Sequence, residues 1–181
     1  MGSLVRLLAL TMAAVFAAAC SGPPEPPPGF QRYAGDGYTL AHPAGWREIR
    51  TTDEGGAPLV ELRGADGPQG AARSQAVVAR RDAYTGTMRD QLAQVRLLNQ
   101  VSGRQVVVDR PADVPGAVEA HRIEAVYDDT APGGATVRVR IVDVYALTRD
   151  GTLLDLAVRA PMVDFDAAGL ARVADSLRVD E

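Results

Sequence analysis

Hydrophobic positions follow a two-residue period over most of this chain and a three-to-four-residue step in one stretch near its middle. Tyr38-Thr-Leu-Ala-His42 alternates and predicts a first strand, stopped by Pro43 and Gly45, with 46–50 resuming as a second. Segments 58–63 and 74–80 predict two more strands, joined by Gly-rich connections. The period then changes. Tyr84, Met88, Leu92, Val95 and Leu98 recur at helical steps while Arg89, Asp90, Gln94 and Arg96 fall between them. Residues 84–98 are therefore predicted as an amphipathic helix whose apolar stripe lies on a sheet.

Strand signals return after the helix. Segment 105–109 is Val-rich and ends before Pro111, and 118–127 places Ile123, Ala125 and Tyr127 on one face and Arg122 and Glu124 on the other. Pro132-Gly133-Gly134 is a turn signal. It leads into 136–148, the longest strand, with Val137, Val139 and Ile141 opposite Arg138 and Arg140. Asp150-Gly151 predicts a type I′ hairpin into 152–159, where Leu154, Leu156 and Val158 alternate with Asp155 and Arg159. These last three strands are expected to form an antiparallel meander. Asp164 is the expected N-cap of a closing helix over 165–176, with Phe165, Leu170, Val173 and Leu177 on its apolar side.

The N-terminal region has a different character. Leu10-Thr-Met-Ala-Ala-Val-Phe-Ala-Ala-Ala-Cys20 is a short apolar run that ends in three alanines and the only cysteine of the chain. Arg6 supplies a minimal positive start, and 7–19 is too short to span a bilayer, which takes about 20 apolar residues. The pattern is that of a bacterial lipoprotein leader: 1–19 is removed and the Cys20 thiol takes diacylglycerol, with palmitate-type acylation of the new N-terminus. An ordinary cleaved leader with a chance cysteine is the alternative. Gly22-Pro-Pro-Glu-Pro-Pro-Pro-Gly29 favours polyproline II and makes 20–29 a tether. Residues 30–181 remain as one domain, large enough to bury a core. The expected location is the extracytoplasmic face of the cell membrane.

Composition narrows the chemistry. All 19 basic residues are arginine, and the formal net charge is -4. A mildly acidic chain is a poor partner for nucleic acid, whose phosphates need a basic face. With Cys20 acylated no thiol remains, which removes disulfides, a catalytic cysteine and a Cys-based zinc site. His42 and His121 are the only histidines and have no metal-ligand spacing. Ser74, Ser102 and Ser176 lie in no nucleophile elbow, and Asp128-Asp129 lacks the alternation of a calcium loop. No cofactor, no metal and no enzymatic activity are expected.

Tyr38-Thr-Leu-Ala-His-Pro-Ala-Gly-Trp46 resembles the opening of PsbP-like domains. Val163-Asp-Phe165 through Ala174-Asp-Ser-Leu177 is similar to their last helix and short terminal strand. Joined to a lipobox and a Pro-rich tether, the layout resembles the LpqN/LpqT group of actinobacterial envelope lipoproteins. The resemblance implies an α+β fold, an α/β/α sandwich around an antiparallel sheet. It also implies an accessory or binding role at a membrane, with no shared chemistry.

The residues offer two binding surfaces. Tyr84, Met88, Leu92 and Val95 of the helix, facing Ile141 and Leu154 of the sheet, would line an apolar groove for an acyl chain if the two layers stand apart. Ordinary core packing uses the same residues. Arg138, Arg140 and Arg159, with Arg122, would form a stripe able to meet lipid headgroups, although the interleaved Glu124 and Asp155 equally suit a solvated face of ion pairs. Trp46 is expected in the core, as large rings after such a turn usually are. The chain reads as a non-enzymatic envelope lipoprotein. Its expected partner is a lipid or glycolipid, or a membrane transporter or other envelope protein. The alternative is an accessory subunit that stabilises a membrane complex and binds no small ligand.

Overall fold

Strand alternation yields two antiparallel sheets in the computed structural model, which describes residues 24–65, 73–130 and 133–180. The larger sheet has the order β3 (Arg47–Thr52), β4 (Pro58–Arg63), β5 (Gln75–Arg81), β9 (Leu153–Pro161), β8 (Thr136–Leu147), β7 (Glu119–Thr130), β6 (Gln105–Pro111). The expected meander is β7-β8-β9, and β5 then pairs with β9. A smaller sheet contains β1 (Phe30–Ala34), β2 (Tyr38–Pro43) and β10 (Arg178–Val179). Strand β1 was not legible, since only Phe30 and Tyr33 mark it. The segments around the Pro43-to-Trp46 turn also do not pair with each other: β2 bonds to β1 and β10, whereas β3 bonds to β4. Gly45, at φ 85°, carries the chain from one sheet to the other.

Helix α1 (Met88–Val101) covers one face of the large sheet. Helices α2 (Met162–Ala167) and α3 (Ala171–Asp175), with the small sheet, cover the other. This is the expected three-layer α+β arrangement. Helix α1 starts four residues later than its apolar period. Thr87 and Asp90 cap it reciprocally, with Asp90 N donating to Thr87 Oγ1 (3.2 Å) and Thr87 N donating to Asp90 Oδ2 (3.2 Å). The closing helix is in two pieces and begins at Met162, without a side-chain cap from Asp164. Gly169, in a left-handed conformation at φ 61°, separates the pieces and lets both turn Phe165, Leu170, Val173 and Leu177 inward. No helix among the described residues is long and apolar enough to cross a membrane.

The hairpin between β8 and β9 also differs from expectation. Gly151 has φ 83° but Asp150 does not have a positive φ, so the turn is not type I′. Thr148 N donates to Thr152 O (2.9 Å) and Gly151 N to Thr148 O (3.2 Å). That is a three-residue loop ending in a left-handed glycine, and it leaves Leu147 opposite Leu153.

The main core lies between the large sheet, α2, α3 and the small sheet. Its side chains run from Tyr33 to Val179 with Phe30 packed against them, so among the described residues this core draws on nothing before residue 30. Tyr38 is buried in it, whereas Trp46 is only half-buried at its margin, with its ring 6.2 Å from that of His42. Trp46 follows the turn that leaves the small sheet, so one edge of the ring stays in solvent. Phe165→Ala is expected to lower stability by about 3–5 kcal/mol and Trp46→Ala by roughly half as much, since a truncated side chain costs in proportion to what it buried. Urea denaturation of the two variants checks the order.

Candidate functional site

The helix–sheet seam can be judged from register. Ile141 lies opposite Arg159, and Leu154 opposite Ala146. Directly opposed residues share a face, so Ile141 faces α1 while Leu154 faces the other way, into the main core. The apolar contact under α1 is made by Met88, Leu92 and Val95 with Ile123, Tyr145 and Leu153, and Tyr84 and Leu147 pack on its rim. Met88 is 1 % exposed, Leu92 6 % and Val95 8 %. The layers are in contact. These residues are core, and the predicted acyl groove is filled by the protein's own side chains.

Beside this apolar contact runs a polar one that patterning did not reveal. Asp143, Tyr145 and Asp155 of the sheet share the α1 face, and Gln91 and Asn99 of α1 are buried. Gln91 Oε1 accepts from Arg81 Nη1 (3.2 Å), and Arg81 Nη2 stands 3.9 Å from Asp155 Oδ2. Asp155 Oδ1 and Asn99 Nδ2 are enclosed without a hydrogen-bond partner among the described residues. Burial pushes Asp143 up to about 8, with the neighbouring Asp155 adding to the rise and Arg104 opposing it. Burial likewise raises Asp155 to about 6, against the pull of Arg81. The histidines are occupied. His121 Nε2 is 2.7 Å from Asp109 Oδ1, while burial lowers the pKa of His42. Asp109 is held down at about 2, chiefly by its hydrogen bond from Arg96. No group of three metal-ligating side chains exists among the described residues.

The predicted arginine stripe does not assemble. Arg159 shares a face with Ile141, whereas Arg140 lies opposite Ala160 and points the other way. Arg159 Nε donates to the Gln75 amide oxygen (3.1 Å), whose nitrogen donates to Glu61 (3.1 Å). Arg138 holds Asp128 (3.1 Å) and Gln105 Oε1 (3.2 Å). Arg140 donates to Glu124 Oε2 (2.7 Å) and Asp166 Oδ1 (3.0 Å), with its guanidinium 4.9 Å from the centre of the Phe165 ring. Arg122 and Glu124, expected in solvent, are 7 % and 6 % exposed. They meet at 2.8 Å, and Arg122 also reaches Asp175 at 2.7 Å. Burial would raise Glu124, but the hydrogen bonds from Arg140 and Arg122 outweigh it and hold the carboxyl low. The reason is topological: α2 and α3 close over this face, so these charges join helices to sheet.

Two features remain on the surface. Eight large apolar side chains are exposed among the described residues, and five of them lie on the end of α1 and on β6: Leu97, Leu98, Val101, Val106 and Val107. Strand β6 is an edge of the large sheet and carries a bulge at Val107. The opposite edge, β3, exposes Arg47, Glu48 and Arg50 instead, charges that discourage edge pairing. The second feature is a cavity of about 300 Å³ walled by Pro24, Pro26 and Pro27 of the tether, with Arg32, Arg172 and Arg178 around it.

The raised acids set a pH dependence. A carboxyl whose folded pKa exceeds its unfolded value is protonated in the folded state where the unfolded chain has lost its proton. Stability therefore falls as pH rises from about 4 to about 8 and levels off above. Asp143→Asn is expected to remove most of this slope and to stabilise the domain at pH 8 by roughly 1–3 kcal/mol. Urea midpoints at pH 5 and pH 8 measure it.

No family model matches the chain, and no curated protein matches it in sequence. Among solved structures, the solution structure of cyanobacterial PsbP (CyanoP) from Synechocystis sp. PCC 6803 is similar at 18% identity, with 90% of this chain and 98% of that chain covered and a TM-score of 0.55. A protein of unknown function from Pseudomonas aeruginosa, PA94, aligns over 78% of this chain and 90% of its own at 14% identity, with a TM-score of 0.42. At these identities the likeness to CyanoP speaks to architecture: the two sheets and their covering helices form a PsbP-like fold.

Proposed function

We propose that this chain is a lipid-anchored, non-catalytic accessory protein of the cell envelope that holds a partner protein through the end of α1 and the free edge β6. The observation that carries this reading is the contrast between two surfaces. The seam where an acyl chain would enter is occupied by Met88, Leu92 and Val95, while apolar side chains stay exposed at an edge strand where a partner's extended segment can add. Arg104 and Arg110 flank that edge, which suits an apolar segment with acidic residues. The LpqN/LpqT-like layout of leader, tether and domain supports the envelope setting, and a membrane transporter is one such partner.

The anchor is Cys20, which lies outside the described residues, as does the leader. Supporting it are the Ala-Ala-Ala-Cys20 junction and the Pro-rich segment that follows. The absence of chemistry is supported by the enclosure of Asp143, only 5 % exposed, and by the engagement of His121 with Asp109. The alternative function, carriage of a lipid or glycolipid, has one observation in its favour. A cavity of about 390 Å³ opens between Arg80, Arg149 and Asp36, and it would take a polar headgroup better than a chain.

Cys20→Ser is expected to move the protein out of the membrane fraction or to leave it uncleaved; unchanged fractionation would remove the anchor. Native mass spectrometry of the acylated chain from its own host should show a bound protein and no stoichiometric lipid beyond the anchor. Leu98→Asp with Val107→Asp should weaken that protein complex about 10-fold or more, as charges in a desolvated contact do, without lowering the Tm of the isolated domain. A retained lipid with no protein partner would favour the carrier reading instead.

A further inference from the structure

We infer that Arg32, Arg172 and Arg178, around the cavity beneath the tether, form a docking surface for an anionic lipid bilayer, and that this surface sets which way the domain faces. The inference rests on acylation at Cys20. Three observations carry it.

The first is position. Pro24, Pro26 and Pro27 form one wall of the cavity, and Arg32 Nη2 donates to Pro24 O (2.8 Å), fixing the start of the tether against the domain. Pro24 lies four residue steps from Cys20, which even fully extended span only about 14 Å. An acylated Cys20 therefore keeps this face within headgroup range.

The second is charge. Arg172 and Arg178 form no ion pair with a carboxylate among the described residues, unlike Arg138, Arg140 and Arg122. Arg172 lies 6.0 Å from the centre of the Phe30 ring, an aromatic surface that supports a guanidinium without neutralising it. Two carboxylates also line the cavity. Asp175 is already bound by Arg122 (2.7 Å), which leaves Glu25 as the acid facing the arginines. The chain as a whole has a formal charge of -4, so attraction to an anionic surface has to be local and oriented.

The third is what lies opposite. Helix α1 is on the other face of the large sheet from α3 and the small sheet. Seating the arginines on headgroups directs α1 away from the bilayer, and β6 stays at the open edge of the sheet. Tether, arginines and partner surface then work in one orientation. The lipid holds the chain at the bilayer and the basic patch adds orientation, each arginine near an anionic surface contributing about 1 kcal/mol, a several-fold gain in partition.

The test uses residues 20–181 with Cys20→Ser, so that no acyl chain contributes. This protein should partition onto vesicles of phosphatidylcholine with phosphatidylglycerol at low salt, lose that partition as salt is raised past the screening range, and ignore vesicles of phosphatidylcholine alone. Arg32→Gln with Arg172→Gln should lower partition about 30-fold, the product of two such contributions. Arg47→Gln with Arg89→Gln, which changes net charge equally on β3 and α1, should leave it unchanged. No partition onto the anionic vesicles, or an equal loss in both double variants, overturns the inference. Its failure is separable from that of the anchor. A domain that ignores anionic vesicles while the native chain still fractionates with membranes loses the docking surface alone. A domain that binds them while the native chain is unacylated loses the anchor and keeps the surface.

Discussion

Coverage of the large sheet on both faces is the constraint from which the rest of this structure follows. Strands β7, β8 and β9 lie between α1 on one side and α2, α3 and the small sheet on the other. An antiparallel sheet with one wet face can place its charges there. Along the buried middle of these strands neither face is wet, so the polar residues there need an internal solution. One face answers with the Arg122–Glu124–Arg140 network, whose outer ends reach Asp175 and Asp166 beside the two short helices. The other answers by keeping Asp143 protonated near Asp155. The first solution joins layers; the second makes the domain's stability depend on pH.

That double coverage also explains what could be read from the sequence and what could not. Strand positions, the meander and the helix over Met88 to Leu98 were legible because alternation and helical spacing are local. Leu154 was assigned to the wrong face because alternation within β9 identifies its two sides without saying which element covers each; only the pairing of Leu147 with Leu153 decides that. Arg122 and Glu124 looked like solvent residues for the same reason. Charge alternation is a sign of water only if nothing lands on that face, and the landing helices lie more than thirty residues away. The start of α1 was not legible, because apolar spacing begins at Tyr84 whereas the Thr87–Asp90 cap decides where the helix begins. The tether arginines were illegible: Arg32, Arg172 and Arg178 come from opposite ends of the domain and are brought together by the pairing of β2 with β10.

The functional reading depends on the same division of labour. The sheet's interior is committed to packing, leaving no apolar void under α1, so binding has to occur at surfaces. Besides the cavity at Arg80 and Arg149, two surfaces stand out among the described residues, and they differ in kind: an edge strand with valines at one side of the large sheet, and a cationic hollow where the tether meets the small sheet. A tethered domain with one charged face and one apolar edge is suited to hold something at a set height and angle.

The small sheet has a consequence for biogenesis. Strand β2 is among the first parts of the domain to be made, yet it pairs with β10, and Ala41 N bonds to Ser176 Oγ across 135 residues of chain. Gly116 adds to this lock, since any side chain there would collide with the Val179 carbonyl that packs against it. Contacts of such long range form late. During synthesis the leading portion emerges with the Tyr38 and Leu40 side of β2 uncovered, and the small sheet cannot close until the final strand has been made.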